Sequence, residues 1–451
     1  MRPHNWSHRR RVVRSFFSRR CDKKFRSPSA DNSPKFIKSE RQLVTESNRP
    51  PLNVVCLASY FKGVEFLREC KRQGNRVVLI TKEKNLHEDW PRESLDEIVA
   101  VPDAAGPELL THIVGQLARQ RKIDRLVALE EYDVLTAAMI REHLRMPGMG
   151  VTAAHLFRDK LAMRVRARQA RIRVPEFVHA LNYDDLGEYM GRVPAPWVLK
   201  PRSDVSAVGI KKLHDSEQVW RAIDALDGRE LIAEQSPNYL LEHFVDGDVY
   251  HVDSLVDRGK VVFAGVSCYG RPPMDVAHQG GVFISHSVER DTDDHQPLLY
   301  MNRRLMTCLG LKRGTAHAEF IKSRANGKFY FLEVGARVGG AYIAETLEAA
   351  SGLNLWREWA KIELINGEAP YEARPTRNEY SGIVLSLARQ EYPDTSAYTE
   401  PEIVDRIKRR YHVGLIVRSP KLDRVKELLN QYAARFNEDF CAVAPPLERT
   451  Q

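Results

Sequence analysis

The chain has 451 residues, 43% hydrophobic and 29% charged, the balance of a globular protein too long for a single core. Its net charge of +9 is confined to one end: residues 1–50 hold 14 Lys+Arg against 4 Asp+Glu, a net of +10, and the remainder, 55 against 56, sits at −1. That balance gives the body no basic footprint for nucleic acid, and no apolar run approaches the ~20 residues of a membrane span.

The basic tail, residues 1–50, is rich in Arg and Ser and poor in acids. It lacks the apolar centre of a secretory signal. The composition predicts a disordered extension, an over-long start or a transit-like segment. A weak tether to anionic surfaces is the remaining reading. Six scattered cysteines with no C-x-x-C pair argue against a zinc cluster or disulfide framework and for a reducing, cytoplasmic setting.

After Pro50-Pro51, NVVCLAS (53–59), RVVLIT (76–81) and DRLVAL (124–129) read as buried strands. Helical spacing at 64–73, ELLTHIVGQLARQ and EYDVLTAAMIREHL separates or follows them. Alternation of this kind predicts a parallel α/β domain over 51–150. No G-x-G-x-x-G follows the first strand, so a dinucleotide fingerprint is absent.

MPGMG (146–150) is a linker, and Thr152 caps a helix that carries FRDKLAMRVRARQA. The segments RVPEFVHA, VPAPWVLKPR, ELIAEQ, YLLEHFVDGDVYHVDSLVD, GKVVFAGVSCYG, THAEFIKS and KFYFLEV then read as strands of antiparallel sheets. They give an α+β domain over 151–370. SGIVLSLAR, VGLIVRS and the helix KLDRVKELLNQYAARF form a small α/β module over 371–451.

The polar residues of these segments fall into an order. Lys160 lies on a helix. Lys200 ends an apolar strand and precedes PRSDVSAVGI, where Ser203, Ser206 and Gly209 would let backbone N–H groups approach phosphate oxygens. Glu242 sits at the boundary of two apolar pairs in LLEHFVDGD. Glu319 and Glu333 flank a turn at Asn326-Gly327, about seven residues back and six forward, so the two strands can pair with both carboxylates on one face. Like charges there need a cation between them, and hard oxygen ligands suit Mg²⁺ on nucleotide phosphates. Arg337 follows Glu333 by four residues, where an anion would need stabilising. Each residue alone is ordinarily a solvated surface group; the ordered set is what carries weight. RPPMDVAHQGGVFISH (271–286), with His278 and His286, has the length and polarity of a lid or substrate loop. His251 and Asp253 lie on a strand near enough to reach the site or to serve a hydrogen-bonded structural role. The three histidines lack the ligand spacing of a zinc site.

RDKLAM, VLKPR, EHFVDGD and FLEVGARVGG, in this order and spacing, resemble the recurring segments of the ATP-grasp superfamily over roughly residues 50–450. The resemblance implies an α/β N-terminal domain, an α+β ATP-grasp domain whose two subdomains clamp ATP, and a small C-terminal α/β module. It implies Lys160 and Lys200 on the phosphates, with Ser203 and Ser206 in the phosphate loop. Glu242 and the backbone near Phe244 would hold adenine, Asp248 the ribose, and Glu319 and Glu333 Mg²⁺ (or Mn²⁺). Many members read E-x-N-x-R; here Gly335 replaces the Asn, which leaves a leaner metal site and is similar to the amino-acid and dipeptide ligase branch. The activity implied is carboxylate–amine ligation through an acyl-phosphate, with Arg337 stabilising it. The partners implied are a small carboxylate and an amine, with an oligomer left open. The alternatives are a purine-pathway or carboxylase-like enzyme of the same superfamily, and a nucleotide-binding regulator without turnover. Retention of Lys160, Lys200, Glu319, Glu333 and Arg337 argues against the last.

Overall fold

In the computed structural model, the residues described are 50–204, 209–230, 239–274, 276, 280–365 and 369–442. The basic tail, Ser206, His278 and most of ELIAEQ lie outside the described residues.

The first layer is built from β1 (Asn53–Ala58), α1 (Val64–Arg72), β2 (Arg76–Lys82), β3 (Glu97–Val101), α2 (Pro107–Gln120), β4 (Arg125–Ala128) and α3 (Asp133–His143). All strands are parallel, in the order β3-β2-β1-β4. Valine and leucine runs such as VVCLA and VVLIT are buried on both faces, as a helix-covered parallel sheet requires. The expected three strands become four. The fourth, Glu97–Val101, is a half-exposed edge strand with a short apolar run, IVAV.

The chain continues through α4 (Val151–His155) and α5 (Lys160–Gln169). A small antiparallel sheet follows: β5 (Phe177–His179), α6 (Tyr183–Arg192), β6 (Trp197–Pro201), β7 (Lys211–Leu213), α7 (Ser216–Glu230) and β8 (Tyr239–His243), in the order β5-β8-β6-β7.

The large antiparallel sheet begins with β9 (Gly247–Asp257), β10 (Lys260–Tyr269) and β11 (Phe283–Ser287). Helix α8 (His295–Leu309) leads to β12 (Arg313–Ser323) and β13 (Phe329–Gly335). Helices α9 (Ile343–Ser351) and α10 (Leu355–Leu364) precede β14 (Tyr380–Leu387), β15 (Ile403–Arg409), β16 (His412–Ser419) and α11 (Leu422–Asp439). The strand order is β13-β12-β9-β10-β11-β14-β16-β15. The strands after residue 380 therefore extend this sheet through β11, and hydrogen bonding runs unbroken across the boundary near residue 371 that chain order suggests. The last four residues of the segment read as a loop (271–286) belong to β11, Phe283–Ser287, which makes this junction.

The apolar core under β9, β12 and β13 includes Phe157, Leu298, Leu305, Phe320 and Phe331. A second core joins β1 and β2 to α10 through Phe66, Trp356 and Trp359. Rings of Phe66 and Trp359 meet edge to face at 5.0 Å, a geometry their quadrupoles favour. The parallel sheet is thus fixed against the large one, and the loop after β4 reaches the end of β13 through Glu131 and Arg337.

Candidate active site

Helix α5 is started by Asp159, whose Oδ1 accepts the N–H groups of Leu161 and Ala162 at 2.9 and 3.3 Å, an ordinary N-cap. Its first residue, Lys160, and Arg164 one turn later occupy one helix face. Lys160 Nζ lies 3.1 Å from Glu333 and donates to the Asp204 carbonyl at 2.5 Å. Arg164 is fully buried, with Nη2 2.9 Å from Glu242. On β6 and β8, Lys200 and Glu242 are diagonal neighbours on one face, because Lys200 is opposite Leu240 and Glu242 is opposite Val198. Their side chains form a buried ion pair. Burial pulls the Lys200 ammonium down to about 8, assisted by Arg164 and opposed by Glu242. Burial raises the Glu242 carboxyl, but Arg164 and Lys200 together hold it below its ordinary value.

Across the cavity, β12 and β13 pair with Glu319 directly opposite Glu333. The register slips between Glu319 and Phe320, so Leu332 is the extra residue. Without that bulge Glu319 would face Leu332; the extra residue brings Glu333 opposite Glu319 and leaves both carboxylates on one face. Glu319 accepts the Tyr269 hydroxyl at 2.8 Å. For Glu333, burial raises the carboxyl, and the charges of Lys160 and Lys200 outweigh it and hold it at about 2. Lys160, Lys200, Glu242, Phe244, Glu319, Glu333 and Arg337 all line one cavity of about 530 Å³ between the two antiparallel sheets.

Arg337 is held from the parallel sheet. Its Nε donates to Glu131, just beyond β4, at 2.8 Å, and Arg158 donates to the other Glu131 oxygen at 2.8 Å. Burial raises Glu131, and the two guanidinium groups more than reverse it. Gly335 explains itself here. A Cβ on it would come 3.1 Å from Glu131 Oε2 and 3.3 Å from Arg337 Nε. The space a larger residue would need is filled by this ion pair. After Arg337, the chain turns through Ala341 and Tyr342 at φ of 51° and 58°, left-handed values that cost non-glycine residues about 1–3 kcal/mol each. Gly340 and Ala341 line the cavity at this bend.

Beneath the carboxylates runs a buried polar chain. His251 joins Ser285 Oγ at 2.7 Å and Asp253 at 2.6 Å. The other Asp253 oxygen meets His317 Nδ1 at 2.8 Å, and His317 Nε2 lies 3.4 Å from Glu319. Burial lowers the His317 imidazole, and the Asp253 charge outweighs it and raises it to about 9. Asp253 is itself held well below its usual value, its burial overcome by His317 and His251. The ligand atoms of His251, Asp253 and His317 lie within 4.8 Å of one another, but these hydrogen bonds already occupy them. His251 and Asp253 thus reach the site through His317.

Other expected residues are placed differently. Ser203 is exposed, and its carbonyl accepts from Arg158 at 2.6 Å. Asp248 does not line the cavity; it is exposed and paired with Arg324 at 2.5 Å, because the alternation along β9 turns it to the outer side of Gly247 and Val249. The N–H of Phe244 donates to the Pro196 carbonyl and that of His243 to Glu176, so those two donors are already engaged. His286 lies within β11 and meets the Ser287 carbonyl at 2.9 Å. Sequence reasoning missed Arg164, Glu131, Arg158, Tyr269 and His317. Arg164 carried a signal, the i+4 spacing from Lys160. Glu131 is 206 residues from Arg337 and carried none.

Paired carboxylates beside two lysines suit a divalent ion on a polyphosphate. A sequence profile described as ATP-grasp domain matches residues 193–345, and one described as ATP-grasp N-terminal domain matches 67–148. The chain is 19% identical over 326 residues to an L-arginine-specific L-amino acid ligase of Bacillus subtilis, covering 70% of this chain and 78% of that one. A crystal structure of an L-amino acid ligase from Bacillus licheniformis superposes with a TM-score of 0.68 at 17% identity, over 88% of this chain and 99% of that one. The biotin carboxylase domain of Hydrogenobacter thermophilus 2-oxoglutarate carboxylase, solved with MgADP, gives 0.68 at 14% identity, over 87% and 91%. With its N-terminal parallel sheet, its two facing antiparallel sheets and these matches, the chain belongs to the ATP-grasp superfamily.

Proposed function

We propose that this protein is an ATP-dependent ligase that joins the carboxylate of one small molecule to the amine of another. The observation that carries the reading is the single cavity in which Glu319 and Glu333 face Lys160 and Lys200, with Arg337 alongside. The two glutamates would hold Mg²⁺, which supplies charge neutralisation to the transferring phosphoryl group. Lys160 and Lys200 now pair with Glu333 and Glu242; the same cations would hold phosphate oxygens of ATP. Val198, Ile210, Phe244 and Leu332 offer the apolar walls that an adenine ring needs.

In the first step a substrate carboxylate oxygen bonds to the γ-phosphorus and ADP leaves. In the second the neutral amine attacks the acyl carbon, phosphate leaves, and the amine proton passes to water or phosphate. Arg337 would steady the acyl-phosphate charge, as positioned cations do for developing anions. Glu131 sets the direction of its guanidinium. Met274, Phe283 and Ile343 make the wall near Tyr269 apolar, which favours a substrate with an apolar body. A reducing, cytoplasmic setting is part of the reading, supported by five free cysteines among the described residues. Among the described residues no helix is long and apolar enough to cross a membrane.

The test is phosphate release from Mg·ATP with amino-acid pools, small carboxylates, or bicarbonate and formate. Stimulation by an amino acid, with ADP, phosphate and a new amide as products, is expected. Stimulation by bicarbonate or formate alone would move the protein to the carboxylase or purine-pathway reading. Tight ATP binding with no stimulated turnover in any arm would favour a nucleotide-binding regulator.

A further inference from the structure

A second cavity, of about 590 Å³, shares no lining residue with the first. It lies where β4 and α3 of the parallel sheet meet the start of β12 and the helix α10. Five of its lining residues are cations: Arg125, Arg141, Arg258, Lys312 and Arg313. Glu363 is the only carboxylate lining it among the described residues. The rest of the wall is apolar, with Leu126, Val134, Met149, Leu311 and Trp359.

Arg125 and Arg141 are held by backbone carbonyls and not by anions. Arg125 donates to the carbonyls of Glu363, Asp124 and Ile365 at 2.6, 2.8 and 3.2 Å. Arg141 donates to those of Leu126 and Met149 at 2.9 and 3.0 Å. Both guanidinium groups are therefore fixed by neutral acceptors, and among the described residues neither forms an ion pair. Arg313 lies 3.9 Å from Asp257, a distant and partial offset, and donates to the Ile365 carbonyl at 3.4 Å. Glu363 turns one oxygen to the Trp359 indole N–H at 3.0 Å. Burial pulls the Arg125 guanidinium down and repulsion from Arg313 adds to it, while the charges of Glu363 and Asp124 oppose the shift. An excess of partly buried positive charge is costly unless something offsets it.

A second, independent observation points to a ligand. Thr315 lines the cavity, is 1% exposed, and its hydroxyl has no hydrogen-bond partner. Buried hydroxyls are ordinarily satisfied, and this one is free to donate to an oxyanion. We propose that this cavity binds a small organic anion, a carboxylate or a phosphate ester. Its charged head would lie among Arg125, Arg141, Arg313 and Thr315, and its apolar body against Trp359 and Leu311. The site is independent of the ATP reading: it uses other residues and requires neither nucleotide nor metal.

The experiment follows binding to the full chain by calorimetry, without ATP or Mg²⁺. The probes are 3-phenylpropanoate, phenyl phosphate and inorganic phosphate. The two phenyl probes share the aromatic ring and differ in head and linker, so a large preference for one points to the head it carries. Saturable binding of at least one, several-fold tighter than inorganic phosphate, is expected. The double variant Lys312→Gln/Arg313→Gln, on the exposed side of the cavity, should raise the dissociation constant at least about tenfold. Thr315→Val, of equal size, should raise it a few-fold. Circular dichroism and melting confirm that each variant is folded. Arg337→Gln, in the first cavity, should leave binding unchanged. Absence of saturation by either phenyl probe up to about 10 mM overturns the proposal. So does binding that ignores the Lys312/Arg313 variant and is lost in Arg337→Gln, which would put the anion in the first cavity.

Discussion

Glu333 and Glu131 carry the same charge and serve different purposes. Glu333 is half-buried and opens on the cavity, 3.1 Å from Lys160. Glu131 is buried and binds two arginines at once. Glu333→Gln keeps the shape and removes a candidate metal oxygen's charge. Turnover of Mg·ATP should fall by at least about 100-fold, with melting temperature and circular dichroism near normal; phosphate release at saturating Mg²⁺ checks it. Near-normal turnover would sink the assigned metal site. Glu131→Gln leaves the cavity lining intact but frees Arg337. Here kcat should fall by about tenfold or more while KM for ATP moves little, because loss of orientation acts on the chemical step. An equal change in both would make Glu131 a general structural residue. Glu333 was legible in the sequence because it ends an apolar strand and has its partner Glu319 across a short turn. Glu131 was not, because its role arises only where a loop after β4 meets the end of β13.

At the level of elements, the site depends on how β9, β10, β12 and β13 align. His251 and Asp253 on β9 stand two residues apart and so share a face, as do His317 and Glu319 on β12, with Asp253 opposite His317 and Glu319 opposite His251. Sheet alternation alone therefore assembles the polar chain. Its electrostatics predict a pH dependence of stability. The His317 value is raised from 6.5 to about 9 in the fold, so folding takes up a proton. The stabilisation is complete below about pH 6.5 and is lost as pH rises through about 9, at about 1 kcal/mol per unit. Lys200, lowered from 10.5 to about 8, acts in the opposite sense between those values. The His317 effect should thus be cleanest from pH 6.5 to 8. Urea unfolding across that range should show falling stability in the parent and a flat profile in His317→Gln. Equal slopes in the two proteins would mean that His317 is not held as the imidazolium. Most strands of this chain were legible from apolar runs or alternation, though the edge strand β3 and the strand β11 were not, and the pairing of Glu319 with Glu333 was legible too. The bulge at Leu332 was not, because a one-residue insertion leaves the apolar pattern nearly unchanged.

For the whole molecule, charge separates the tail from the body. Residues 1–50 carry the entire positive excess, while every residue of the candidate site lies after Glu130. Deleting residues 1–49 should leave ATP turnover within about twofold and the melting temperature within a few degrees. Loss of turnover on deletion would mean that the tail belongs to the working unit. Most of the elements, the parallel first sheet, the antiparallel strands of 151–370 and the lysines, glutamates and arginine of the cavity were determined by the sequence itself. Local rules govern them: apolar periodicity sets strands and helices, and short turns set neighbouring pairs. The tertiary structure alone decided the rest. It placed β14–β16 on the same sheet as the strands of Glu319 and Glu333, turned Asp248 away from the cavity, joined Glu131 to Arg337 and gathered five cations around a second cavity. Each of these depends on residues far apart in the chain, and such contacts are fixed by the packing of whole layers, to which no local pattern in the sequence is sensitive.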